Sequence, residues 1–213
     1  TEMFPKPIEK STRSAQLAYQ ALLPVALLLW LAPLIAVALF AIRPAVDFTT
    51  GNYWGVPSEL QFSENFGQVL NSAMPRYIMN SFFITIPTVF GAVGLSAMAG
   101  FALGIYKFKS NLFLFFMFIA GNFVPFQILM IPVRDLTLDL GLYDTKTGLI
   151  LFHIAFQTGF CTLFMRNFIK ALPFELIEAA RVEGVREWQI FFYIVLPLMK
   201  PALAALSVLV FTF

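Results

Sequence analysis

The chain has 213 residues, 59% of them hydrophobic and 12% charged, with a mean hydropathy of +0.80 and a formal net charge of +2 at pH 7. A soluble domain carries roughly a quarter charged residues, so these values exclude a water-soluble fold and predict an all-α, polytopic membrane helical bundle. Charge-free runs locate the spans in order at residues 16–42, 77–106, 112–133 and 147–165. Each is long enough for a hydrocarbon core of about 30 Å, which takes roughly 20 helical residues. A fifth run, 201–213, is too short to cross, so a single membrane domain over 1–213 is expected to be truncated in its fifth span. The chain does not begin with Met, and its start is likewise expected to be incomplete or processed. The first run is too long for a cleavable signal peptide and lacks a small-residue cleavage pattern. Cys161 lies inside a span without a second cysteine in the chain and is expected to serve packing.

If the runs alternate across a bilayer, one side receives Lys6, Lys10, Arg13, Lys107, Lys109, Arg166, Lys170, Arg181, Arg186 and Lys200. The other receives Arg43, Arg76, Arg134 and Lys146 together with six acids. The positive-inside rule makes the first side cytoplasmic, so the N-terminus is cytoplasmic in this multi-pass protein. Residues 43–76, with Pro44, Gly51, Gly55, Pro57 and Gly67, form an ordered external loop in this reading. Within it LQFSENFGQVL suits a short amphipathic helix on the outer surface.

The cytoplasmic loop 170–197 is the most charged part of the second half. Pro173 suits a first helical turn, Glu175 and Glu178 favour the positive end of a helix dipole, and Gly184 suits the left-handed residue that closes a helix. The pattern predicts a helix over 173–183 and a second from Arg186 that feeds into the membrane after Pro197. Ala179 and Ala180 leave the first helix bare at its middle, while Glu175, Glu178 and Arg181 flank the bare patch at three-residue spacing. This is the shape of a docking knob. The alternative is an interfacial helix lying on lipid headgroups, against which stand its acidic start and its lack of a basic face.

Residues 178–197, EAARVEGVREWQIFFYIVLP, resemble the EAA loop of ATP-binding-cassette importer permeases. Asn80-Ser81, AGFALGIYKF at 99–108, IPV at 131–133, LGLYDTKTGLIL at 140–151 and ALPFELIEAARVEG at 171–184 further resemble carbohydrate-importer permeases of the maltose type. The likeness is to the shorter of the two permease partners; it covers roughly 62–213, and the first span fits only in kind. Glu183 stands where an Asp is usual, which preserves the charge. The resemblance implies an importer permease fold in a bacterial cytoplasmic (inner) membrane. It further implies a coupling helix, with Glu175, Glu178, Ala179, Ala180, Arg181, Glu183 and Gly184 facing a cytoplasmic ATPase. The implied partners are a second permease subunit, two ATPase copies, an external solute-binding protein, a carbohydrate and the lipid bilayer, but no nucleic acid. The alternatives are a permease for another solute, such as a polyol or a glycerophosphodiester, and a non-transporting membrane scaffold.

No GxxxxGK[ST] loop and no GK dipeptide occur, so ATP and Mg are expected on the partner ATPase and this chain is expected to bind no cofactor and no metal. The four complete spans contain no Asp, Glu, Lys or Arg, which argues against proton- or sodium-coupled transport. One His and one Cys, eight residues apart with no acid nearby, do not make a catalytic cluster, so the chain is expected not to be an enzyme. At about 1.5 Å rise per residue, Gln127 and His153 fall about 9 Å below the outer ends of their spans, and Asn122 and Gln157 about 15 to 16 Å. These two neutral polar layers, with Phe126 and Phe156 nearby, are candidates for a sugar path; hydrogen bonding between helices is the alternative. Ala92, Ser96, Gly100 and Gly104 recur every fourth residue and predict close helix packing. Pro24, Pro33 and Pro87 are expected kinks.

Overall fold

The computed structural model describes residues 12–213, so Lys6 and Lys10 of the orientation argument lie outside the described residues. The chain packs as two compact units, one up to Arg76 and one from Tyr77 to Phe213. All regular structure among the described residues is helical.

The first unit contains α1 (Arg13–Ala41), α2 (Ala45–Thr49) and α3 (Phe62–Leu70). At 1.5 Å per residue α1 is about 44 Å long, enough to cross a bilayer, and it runs through Pro24 and Pro33 with no buried residue. The loop beyond it is ordered around a buried ion pair. Arg43, 2% exposed, donates to the carbonyls of Asn52 and Gly55 and lies 3.6 Å from the Asp47 carboxylate. Asp47 Oδ2 accepts from the Ser58 amide at 3.1 Å, and Asn65 Nδ2 donates to the Arg43 carbonyl at 2.8 Å. The expected amphipathic helix is α3, where Phe62 stacks on Phe66 with centroids 4.4 Å apart.

The Ser58 hydrogen bond, helped by Arg43, holds the Asp47 carboxyl below its ordinary range. A group with a depressed folded-state pKa contributes stability that is fully present above its unfolded value and is lost as pH falls through the folded one. The hydrogen-exchange protection factor of the Ser58 amide is therefore expected to stay level from neutral pH down to about 4 and to fall below it. Asp47→Asn should remove that dependence, and a factor level down to pH 2 in the unaltered chain would mean that the carboxylate does not anchor this loop.

The second unit holds most of α4 (Met74–Ile105), then α5 (Asn111–Phe123), α6 (Phe126–Asp139) and α7 (Lys146–Lys170). Next come α8 (Phe174–Val182), the short α9 (Glu187–Gln189), a π-helical segment Ile190–Val195, α10 (Leu196–Leu198) and α11 (Lys200–Thr212). Among the described residues three helices, α1, α4 and α7, are long and apolar enough to cross a membrane, and up to five spans result if each of two bent pairs counts as one.

The bend of one of those pairs falls within the third expected span, 112–133. The chain bends by 99° between α5 and α6. Val124 precedes Pro125 and is pushed into extended backbone at φ −76°, ψ 116°, while Pro125 caps α6 and has no N–H to continue α5. The fourth span also runs past residue 165, through a buried Arg166, to Lys170.

The core lies along the α4–α7 contact and reaches α8 and α11, through Ala92, Ala97 and Phe101, Cys161, Met165 and Ile169, Ile177 and Ala180, and Leu206 and Val210. The small-residue stripe serves packing: a Cβ on Gly100 would lie 2.8 Å from Met165 Cβ and 2.9 Å from the Arg166 amide nitrogen. Ser96 Oγ reaches the Thr158 carbonyl at 3.1 Å across the same contact. Large apolar side chains elsewhere point outward, among them Trp30, Phe90 and Ile131, each more than two-thirds exposed. Such surface suits lipid or neighbouring subunits, not water.

Candidate functional site

The loop helix α8 begins after Pro173, which caps it from outside, one position earlier than the first-turn placement expected. Its end is a Schellman closure. Gly184 has φ +77°, its amide donates to the Arg181 carbonyl at 3.0 Å, and the Val185 amide donates to the Ala180 carbonyl at 3.0 Å. Ile177 (2% exposed) and Ala180 (7%) tie α8 to the core, and burying Ile177 alone is worth about 1.5–3 kcal/mol. The helix is thus held from one side and bare on the other.

That division corrects the expectation of a bare patch built from both alanines. Ala180 faces inward, and only Ala179 lies on the outer face, with Glu175, Leu176, Glu178, Val182 and Glu183 exposed around it. Val182 is 88% exposed, an apolar side chain left uncovered by this chain. Arg181 turns back: its Nε donates to Glu187 Oε1 at 2.7 Å and its Nη2 to Glu187 Oε2 at 3.1 Å. The Tyr106 hydroxyl donates to the same Oε2 at 2.7 Å. The carboxylate hydrogen bond holds the Arg181 guanidinium above its ordinary range and favours the charged pair.

Of the four path candidates, the structure brings two together. Asn122 on α5 and Gln157 on α7 line one hollow of about 350 Å³ with Phe156, Phe160, Leu209 and Phe213, and no lining side chain carries a formal charge. Gly159 permits the close approach, because a Cβ there would press on the Phe118 carbonyl and the Asn122 amide. Gln127 lies beyond the bend, exposed on α6, and His153 is half-buried beside Phe152; neither lines this hollow. The layer that paired Gln127 with His153 required an unbroken helix, and Pro125 removes that premise.

Sequence reasoning missed Tyr106, Glu187 and Arg166. Arg181 and Glu187 are six apart, a spacing that neither helix nor strand pairs, and only the Gly184 turn closes it. Arg166 Nε donates to the Leu103 carbonyl at 3.1 Å with its guanidinium 3.8 Å from the centre of the Phe115 ring, so α7 is pinned to both α4 and α5. Among the described residues no three His, Cys, Asp or Glu side chains converge as a metal site would require.

The described residues form apolar helices that carry a loop helix anchored in the core on one face and uncovered on the other. Residues 92–213 match the family described as "Binding-protein-dependent transport system inner membrane component", and the chain belongs to that family. The arabinooligosaccharides transport system permease protein AraQ of Halalkalibacterium halodurans is 35% identical over 181 residues, covering 83% of this chain and 64% of the relative. The osmoprotective compounds uptake permease protein GgtD of Synechocystis is 32% identical over 197 residues, covering 90% and 66%. The chain thus spans just under two thirds of these relatives' lengths. A crystal structure of a bacterial ABC transporter involved in the import of the acidic polysaccharide alginate superposes with a TM-score of 0.78 at 25% identity, over 95% of this chain and 72% of the matched one. The fold is that of an importer permease, and the protein is a multi-pass membrane protein.

Proposed function

We propose that this chain is one permease subunit of an ATP-driven, binding-protein-dependent carbohydrate importer, with α8 as the helix that couples it to a cytoplasmic ATPase. The observation that carries the proposal is the division of α8 into an anchored face, Ile177 and Ala180, and an uncovered face of Glu175, Glu178, Ala179, Val182 and Glu183. A helix that rested on lipid would turn apolar and basic residues outward, whereas this face sets three acids beside one small side chain, Ala179, and one apolar one, Val182. ATP-driven closure of two ATPase copies would draw on α8 and open the path toward an external solute-binding protein, and hydrolysis would reset it. A second permease would supply the other half of the path. The cation distribution supports a cytoplasmic N-terminus and α8 on the same side.

The uncharged Asn122–Gln157 hollow, with its aromatic rings, suits a neutral hydroxyl-rich solute. It favours a saccharide or a polyol over a glycerophosphodiester, whose phosphate would need a cation or several N–H donors. Among the relatives, AraQ is named for arabinooligosaccharides, which agrees with that class, whereas UgpE of Brucella abortus is named for sn-glycerol-3-phosphate.

The test is co-purification. An Ala179→Trp permease expressed with its ATPase should insert and fold, because the position is exposed, yet retain the ATPase on the order of tenfold less well, the effect of about 1.4 kcal/mol at an interface. Full retention with both Ala179→Trp and Glu178→Lys would overturn the docking role. A wild-type permease that carried no ATPase through detergent would support a scaffold instead.

A further inference from the structure

The second unit contains a hydrogen-bonded cluster that nothing in the coupling surface itself requires. Glu187, the first residue of α9, takes three hydrogen bonds: two from Arg181 near the end of α8, at 2.7 and 3.1 Å, and one from Tyr106 just beyond α4, at 2.7 Å. The Arg181 guanidinium also lies 5.7 Å from the centre of the Tyr106 ring. Tyr106 is fixed in turn. Asn111 Nδ2 donates to the Tyr106 carbonyl at 2.8 Å and to the Leu103 carbonyl at 3.0 Å, and the Phe101 ring meets the Tyr106 ring edge-on at 5.7 Å.

Stability does not account for this arrangement. The Arg181 and Glu187 side chains are 32% and 43% exposed, and ion pairs that wet contribute little to folding. What the cluster does is geometric: a two-pronged guanidinium–carboxylate contact fixes orientation as well as distance, and the phenol adds a third fixed point just beyond the end of α4. It is a polar link between the loop helix and the end of α4, beside the core cluster that Ile177 and Ala180 share with α4 residues. Apolar contacts let helices slide; a bidentate pair with a shared acceptor does not.

We propose that Tyr106, Glu187 and Arg181 form a clasp that transmits displacement of α8 to α4, with Tyr106 and Glu187 as positioning residues of the coupling step. The proposal rests on the coupling reading of α8. When the ATPase moves α8, the clasp moves the cytoplasmic end of α4, and α4 carries that motion to its outer end. Tyr106 and Glu187 need not touch the ATPase to act.

The experiment uses the reconstituted importer complex in a Cys161→Ala background, with a reporter thiol introduced by Ile84→Cys in the N-terminal half of α4, far from Tyr106, where Ile84 lines an open hollow. A membrane-impermeant maleimide measures its accessibility without nucleotide and after trapping with ATP and vanadate. An intact clasp should give a nucleotide-dependent change in labelling. Tyr106→Phe and Glu187→Gln should each reduce that change at least about fivefold, the lower end of measured coupling between sites, while ATPase retention stays at the wild-type level. The swap Arg181→Glu with Glu187→Arg restores an Arg–Glu pair and should recover most of the response. Wild-type responses in Tyr106→Phe and Glu187→Gln, beside a response abolished by Ala179→Trp, would overturn the clasp and leave the coupling reading standing. A response that survives Ala179→Trp as well would overturn both. A swap that retains the ATPase but responds no better than the single variants would overturn the role assigned to the pairing.

Discussion

Replacing Gly100 by Val is expected to deplete folded protein, while the same replacement at Gly94, six residues earlier on α4, is expected to be tolerated. At Gly100 the new Cβ would lie 2.8 Å from Met165 Cβ and 2.9 Å from the Arg166 amide nitrogen, so α4 and α7 could accommodate it only by moving apart. Backbone cannot rotate out of the way as a side chain can. Overpacking of this kind costs about 1–3 kcal/mol and more where backbone must shift, a large share of a stability of about 5–15 kcal/mol. Separation of the helices would also lengthen the Ser96–Thr158 hydrogen bond and the Arg166–Leu103 hydrogen bond that close the same contact. At Gly94 a Cβ meets nothing within 4 Å and points toward lipid or a partner, and Val should match or slightly exceed Gly in a helix. The measurement is the yield of monodisperse protein in detergent together with its thermal unfolding. Equal values for the two variants would mean that the α4–α7 contact is not the core of this unit.

The second large effect is expected at Gly184, for the opposite reason. No atom lies within 4 Å of a Cβ built there, so crowding is absent. Only the backbone dihedral, φ +77°, opposes a side chain. A β-branched residue in this left-handed conformation costs about 1–2 kcal/mol, so Gly184→Val should relax the turn and break the closure from Val185 to Ala180. The end of α8 would shift, Arg181 would lose its line to Glu187, and the outer face would present Glu178 and Ala179 at the wrong angle. The spans should remain intact because the turn lies outside them. Gly184→Asn is the discriminating companion, since Asn enters the left-handed region at less cost than Val. On the proposed coupling role of α8, ATP hydrolysis by the reconstituted complex, stimulated by the binding protein, should be lost in Val and largely kept in Asn. Wild-type hydrolysis in the Val variant would show that the geometry of this turn does not matter to coupling.

These two glycines mark how far the amino-acid sequence could be read. Gly184 was legible because a chain-local rule, a left-handed residue after a helix, depends only on neighbours in sequence. The same holds for α8 and α3, whose periodicity is local, and for the apolar character of α1, α4 and α7, since hydrocarbon length and charge cost act on each segment separately. The four-residue stripe on α4 announced a close contact for similar reasons, although not which helix it would meet.

Long-range placement was decided by the tertiary structure. The 99° turn at Pro125 depends on where α6 packs, and that turn removed Gln127 from the polar layer while leaving Asn122 beside Gln157. Ala179 and Ala180 are the same residue type at adjacent positions. Which of them faces outward was settled only by the rotation of α8, set by Ile177 entering the core. Arg181 looked like part of a surface because its partner Glu187 lies across a turn and the third member of the cluster, Tyr106, lies 81 residues from that carboxylate in the chain. A sequence encodes such a cluster through the path of the whole backbone, since hydrogen bonds of 2.7 Å tolerate errors of only a few tenths of an ångström and no local pattern fixes distances that finely.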